Sequence, residues 1–182
     1  MKYPMLLLAL CGSFLLGAQD QPTVALQSKT QDYADDVASI DHILTTLYAS
    51  ISGEKGEARD WDRFLNLFVA GAQLIPSRVG EDGLVSCRMM SPQGYVESSG
   101  KWLEDNGFFE VEIHREVVKY GSLVHAFSTY ESYRSQADEQ PFARGINSIQ
   151  LLHDGQRWWV VNIYWLGETP ALPLPAAFLP KE

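Results

Sequence analysis

Apolar residues recur as Val37, Ile40, Ile43, Leu44, Leu47, Tyr48 and Ile51. That spacing is helical, with one stripe to bury. Gly53, Glu54, Lys55 and Gly56 end the run. A shorter helix follows, with Asp60 as its N-cap and Trp61, Phe64, Leu65 and Phe68 as its apolar side. Gly71 precedes a short strand over 72–77, and a turn at Gly80-Glu81-Asp82-Gly83 leads to another over 84–89. Ser91 caps a third helix, with Pro92 at its first position, and Asn106-Gly107 closes it. The period then changes from helical to two. Over 107–168, four runs rich in Val, Ile, Phe, Tyr and Trp are separated by Lys-Tyr-Gly-Ser, Gln-Ala-Asp-Glu-Gln-Pro and His-Asp-Gly-Gln. This predicts a meander of long antiparallel strands. Helices segregated from a meander predict an α+β fold, with three helices of the N-terminal half packed on a strongly curved, mainly antiparallel sheet.

The ends of the chain have a different character. Lys2, an apolar run from 3 to 16 and Gly17-Ala18 read as a signal peptide over 1–18. The run falls short of the roughly 20 residues a spanning helix needs, so no stable membrane insertion is expected. Cys11 raises lipidation as an alternative to ordinary cleavage. The expected location is therefore periplasmic or secreted. Residues 19–33 read as a flexible linker, 34–168 as one domain and 169–182 as a Pro-rich tail. After cleavage Cys87 is the one cysteine left, and it reads as a small buried hydrophobe. The net charge of -9 argues against nucleic acid and anionic membranes as partners. Glu110, Glu112, His114, Glu116 and His125 fall on one face of neighbouring strands, and alternating charge of this kind reads as a solvated face rather than a metal site. No phosphate loop or nucleophile elbow is present, and no metal or other cofactor is expected.

The order of elements, the segment RDWDRFLNLFVAGAQLIP and the closing run DGQRWWVVNIYW resemble the nuclear transport factor 2-like superfamily, and within it the SnoaL-like branch. The resemblance spans roughly 34–168 and implies a cone-shaped fold. That fold hosts isomerases, dehydratases, cyclases, transport adaptors and binding modules, so it does not carry a function with it. Neither the Tyr and two acids of the steroid isomerases nor the Tyr, His and Asp of scytalone dehydratase match here.

Strand register predicts the site. A two-residue turn at Asp154-Gly155 sets Asn147 opposite Asn162, Ile149 opposite Val160 and Leu151 opposite Trp158. A turn at Tyr120-Gly121 sets Ala126 opposite Arg115, Ser128 opposite Ile113 and Tyr130 opposite Val111. Closure then places Tyr130 beside Asn147. The concave face carries Val111, Ile113, Val117, Val124, Ala126, Ile149 and Val160, with Arg115, Ser128, Tyr130, Asn147 and Asn162 among them. Polar groups converging in an apolar cup describe a small-molecule site. Trp61 is placed at its mouth, and Arg115 is given a helix acid such as Asp62 as its alternative partner. Tyr130 is the candidate catalytic residue, as a general acid or oxyanion donor. This register leaves no acid in the cone to serve as a base.

The expectation is therefore an exported binding module for a small apolar or aromatic molecule. The alternatives are a lyase, isomerase or cyclase of the same shape, and a dimeric interaction domain with a filled cone. The other face of the last strand carries Trp159, Val161, Ile163 and Trp165. Apolar on both faces, the strand needs cover on both, and a homodimer through that face is expected. The alternative cover is the chain's own tail around Leu172, Leu174 and Phe178.

Overall fold

A computed structural model describes residues 33–181. The expected signal peptide, Cys11 and nearly all of the expected linker lie outside the described residues. Among the described residues three α-helices form where the capping residues permit. Helix α1 (Ile40–Ile51) starts at Ser39, whose hydroxyl accepts the His42 amide at 3.1 Å. Helix α2 (Trp61–Leu65) starts at Asp60, whose carboxylate accepts the Arg63 amide at 2.9 Å. Helix α3 (Pro92–Asn106) starts at Ser91, which accepts the Gly94 amide at 3.0 Å. Each cap satisfies a backbone donor that the first helical turn leaves open. Gly107 ends α3 at φ 71°, where a Cβ would meet the Arg134 carbonyl oxygen at 2.5 Å. Only glycine fits that conformation and that contact.

Among the described residues six strands form one sheet: β1 (Phe68–Val79), β2 (Val85–Cys87), β3 (Phe109–Tyr120), β4 (Leu123–Tyr133), β5 (Ala143–His153) and β6 (Trp158–Gly167). Phe68, expected on the second helix, opens β1 instead, because that helix ends at Leu65 and the strand starts before the expected 72–77. Their order is β2-β1-β6-β5-β4-β3, and every neighbouring pair is antiparallel except β1 with β6. The α+β architecture is as expected. Ile43, Leu44 and Leu47 of α1, Phe64 of α2 and Leu103 of α3 bury against Val124, Ala126, Ile149, Leu151 and Val160 of the sheet. Arg59 ties the α1–α2 connection down from inside. Its guanidinium donates to the carbonyls of Ile51 at 3.1 Å, Gly53 at 2.7 Å and Leu103 at 3.2 Å, and also to that of Glu57. Cys87, expected to be buried, lies exposed on the short strand β2, which pairs with β1 alone.

The turns and two bulges change the predicted register. The β3–β4 turn is Gly121-Ser122, not Tyr120-Gly121, because Tyr120 pairs with Leu123; this slides β4 by two residues along β3 and keeps the faces. In β3, an extra residue at Ile113 separates the pair Glu112–Tyr130 from His114–Thr129. Arg115 pairs with Ser128 and Val117 with Ala126, while beyond the bulge Glu110 pairs with Ser132. A bulge adds one residue to one strand, so side chains beyond it exchange faces. Glu110 and Glu112 thus turn into the cone, and Val111, expected inside, points outward and is 44% exposed. The five-residue charged face is split by the same event: His114, Glu116 and His125 stay outside, away from the two glutamates.

In β6, the ladder shifts between Gln150 and Leu151 of its partner. Leu151 pairs with Val160, Ile149 with Ile163 and Asn147 with Trp165. Asn162 pairs with Gln150 outside and donates to its side-chain oxygen at 2.7 Å. The Asp154-Gly155 turn is a four-residue loop rather than a two-residue one, because the Asp154 carboxylate accepts the amides of Gln156 and Arg157, both at 2.8 Å. Ile163 and Trp165 consequently pack against the interior and do not share an outer face with Trp159. The tail folds back over the outer face of the sheet, where the Phe178 carbonyl accepts the Thr129 hydroxyl at 2.7 Å.

Candidate functional site

The inner face of the sheet and the helices enclose a cavity of about 250 Å³. Leu47 and Ile51 of α1, Phe64, Leu74, Phe108 and Ile163 supply most of its apolar wall. Its polar groups are few: Glu110, Ser132, Asn147 and the phenols of Tyr48, Tyr95 and Tyr130. This is the composition of a small-molecule pocket, in which apolar area holds the ligand and sparse polar groups orient it.

Glu110 is the centre of the polar group. Ser132 donates to one carboxylate oxygen at 3.1 Å, and the Asn147 amide approaches the other at 3.4 Å. Among the described residues no basic side chain forms an ion pair with it. Loss of hydration therefore dominates, and burial pushes the carboxyl up to about 7, with the Ser132 and Asn147 hydrogen bonds opposing. The Arg115 guanidinium, two strand positions beyond Glu112, is committed elsewhere. Arg115 bonds Glu112 at 3.2 Å and Asp41 of α1 at 2.9 Å. Its helix partner is thus Asp41, not Asp62.

A hydrogen-bonded row links the two glutamates, from Glu110, Asn147 and Tyr48 in the cavity wall to Ser128 and Glu112 behind it. Asn147 donates to the Tyr48 hydroxyl at 3.1 Å, and the Tyr48 and Ser128 hydroxyls lie 2.6 Å apart. Ser128 donates to Glu112 at 2.5 Å, which leaves Tyr48 as donor to Ser128. With one Asn147 proton on Tyr48 and one facing Glu110, the amide is held in a single orientation. Tyr48, Tyr95 and Tyr130 are all pushed above the ordinary phenol range, by burial first and by the charge of Glu110 second. They stay protonated at neutral pH and can donate. Among the described residues nothing bonds the Tyr130 hydroxyl. Its ring lies over Gly145, where a Cβ would come within 2.5 Å of that hydroxyl. The missing side chain at Gly145 makes the slot that holds the phenol.

Of the residues predicted to form the site, Tyr130 and Asn147 line the cavity. Ser128 is fully buried one bond behind the wall. Arg115 is at the far end of the row, in its ion pairs. Asn162 is on the opposite face of the sheet, moved there by the β6 bulge. Trp61 is not at a mouth: it packs edge-on to Phe64 at 5.7 Å and against Gly100 of α3. Sequence reasoning missed Glu110, Tyr48 and Tyr95. Tyr48 was legible as part of the buried α1 stripe. Glu110 was not, because its direction depends on the Ile113 bulge.

No family model matches the chain, and no curated protein is detectably similar in sequence. Solved structures do match. A Nostoc punctiforme protein of unknown function, described as having a cystatin-like fold, superposes with a TM-score of 0.54 at 12% identity, over 75% of this chain and 92% of that one. A Mycobacterium tuberculosis protein of unknown function gives 0.54 at 12% identity, over 75% and 79%. The β subunit of a putative aromatic-ring-hydroxylating dioxygenase from Novosphingobium aromaticivorans gives 0.52 at 13% identity, over 78% and 94%. At such identities the likeness is one of fold alone, described for the Nostoc protein as cystatin-like.

Proposed function

We propose that the cavity binds a small, largely apolar molecule and that Glu110 exchanges a proton with it, in an isomerisation, dehydration or cyclisation next to a carbonyl group. The observation that carries this reading is a carboxyl group among apolar and phenolic side chains, without a cation, poised near pH 7. A general base is most effective when its pKa lies near the working pH. An unpaired carboxylate in a largely apolar wall has little to do for stability, since burial without a charged partner is costly. Tyr130, with a free hydroxyl in the same cavity, would donate to the oxygen that gains charge as the proton leaves. Asn147 and Ser132 hold the carboxylate in place. The signal peptide read at residues 1–18 makes this an exported protein in the same proposal.

Proton abstraction can be read without the natural substrate. In deuterium oxide, a panel of cyclic and aromatic ketones is followed by NMR for loss of the α-hydrogen. Exchange with one or more ketones is expected in the wild-type protein, lost in Glu110→Gln and reduced about a hundredfold in Tyr130→Phe. Ketones that bind without exchange, with the same affinity in wild type and Glu110→Gln, would instead favour a binding module with no chemistry. That outcome would overturn the assignment of Glu110.

A further inference from the structure

We infer a second binding site, on the outer face of the sheet beneath the C-terminal tail, that takes a short alkyl chain carried by a neutral head group. Its floor is Phe127, Ile146 and Leu166, from three adjacent strands, and its roof is Leu172, Leu174 and Phe178 of the tail. Between them is a chamber of about 290 Å³. The sheet separates it from the Glu110 cavity, and the inference does not rest on the function proposed for that cavity.

The tail is built as a roof held at its two ends. At one end Glu168 accepts two bonds from Arg144, at 2.8 and 3.1 Å, and also the Leu174 amide at 3.0 Å. At the other, the Phe178 carbonyl accepts the Thr129 hydroxyl, and the Phe178 ring meets Phe127 edge-on at 4.9 Å. The part of the roof that lines the chamber at the Glu168 end is Pro173-Leu174-Pro175, with Ala176 and Ala177 between it and Phe178. Both prolines lack an amide proton, and the Leu174 proton is taken by Glu168. The stretch 173–175 can therefore lie over apolar side chains without an unpaired amide proton of its own. On the floor, the Ser148 hydroxyl is engaged by the His125 ring at 2.8 Å.

These features select the ligand. An apolar chamber of about 150 Å³ already accepts a benzene-sized molecule and stays dry without one, so this one has room for a short chain. The lining span offers no polar group free to grip a head group, and on the floor the Tyr164 phenol is the one neutral side-chain group that no other described residue engages, so most of the contact is with hydrocarbon and the one polar contact left is to an uncharged donor. At the Glu168 end, Glu131 also approaches Arg144, at 3.8 Å. Two carboxylates share one guanidinium there, and an anionic head would meet net negative charge. The head group is therefore neutral, an alcohol or an ester.

The test is calorimetric titration of n-octanol and of sodium octanoate at neutral pH. Octanol is expected to bind, and octanoate to bind at least about tenfold more weakly. Ile146→Trp, which fills the floor, and Phe178→Ala, which frees one end of the roof, should each weaken octanol by about tenfold or more. Ala143→Trp, which fills the Glu110 cavity instead, should leave it unchanged. Octanol affinity insensitive to both outer-face variants, or lost in Ala143→Trp, would overturn the proposal, as would octanoate binding as tightly as octanol. A dimer in sedimentation velocity with no octanol bound would make a second copy of the chain the occupant and also overturn it.

Discussion

Replacing Glu110 by Gln should change how stability depends on pH, and in a direction opposite to that of most carboxylates. In the unfolded chain the carboxyl titrates at its ordinary 4.5, and in the folded protein at about 7. Below 4.5 both states hold the proton and Glu110 contributes no pH dependence. Between 4.5 and 7 the folded state keeps the proton while the unfolded state releases it, so stability falls as pH rises through that window. Above 7 both are ionised and the loss is complete. Each pH unit of the window is worth about 1.4 kcal/mol, so from pH 5 to pH 8 the wild-type protein should lose about 3 kcal/mol through this group. Gln keeps the shape, can accept from Asn147 through its one carbonyl oxygen and donate its NH2 to the rotatable Ser132 hydroxyl, and does not ionise. Urea unfolding followed by tryptophan fluorescence, run on both proteins across that range, gives the difference directly. The curves should diverge by about 3 kcal/mol in favour of the variant at pH 8, or roughly 10 °C in midpoint temperature for a domain of this size. Parallel curves would mean that Glu110 is solvated or paired with a cation, and would refute both the burial argument and its use as a base.

Three further substitutions test the framework around it. Gly145→Ala places a Cβ 2.5 Å from the Tyr130 hydroxyl and 2.6 Å from the Leu166 carbonyl oxygen; urea unfolding should show a loss of about 1–3 kcal/mol, and a change below about 0.5 would show that the slot is not needed. Tyr48→Phe removes the hydroxyl between Ser128 and Asn147 and should cost about 1–3 kcal/mol, measured the same way, with no loss counting against a closed row. Arg59→Met leaves the carbonyls of Ile51, Gly53 and Leu103 without this donor; a loss of at least about 3 kcal/mol is expected, and a thermal midpoint near that of wild type would show that water replaces the guanidinium.

The local elements were legible because their causes are local. Ser39, Asp60 and Ser91 cap the three helices through their own side chains, and Gly107 ends the third through a conformation other residues resist. The α1 stripe, the strand runs and the segregation of helices from meander follow from the period of apolar residues alone. The site was only half legible. Asn147 was placed inward because Ile149 and Leu151 on the same strand leave one choice of face. Asn162 was placed wrongly, although Trp158, Val160, Ile163 and Trp165 carry a step of three that marks a bulge. On β3 no comparable sign exists: Glu-Val-Glu-Ile-His-Arg-Glu alternates well enough to be read straight through.

The sequence by itself determined the helices, the strands, the α+β class and the face of each strand up to its first irregularity, because these depend on periodicity and on side chains bonding to nearby backbone. The tertiary structure alone decided which acid enters the cone and what covers the outer face. A bulge of one residue exchanges inside for outside in everything beyond it, and its position is set by how β3 matches β4 and β6 matches β5. The return of the tail onto Thr129 and Phe127 is likewise a contact between segments about fifty residues apart. Pairing across such distances leaves no periodic trace in either segment.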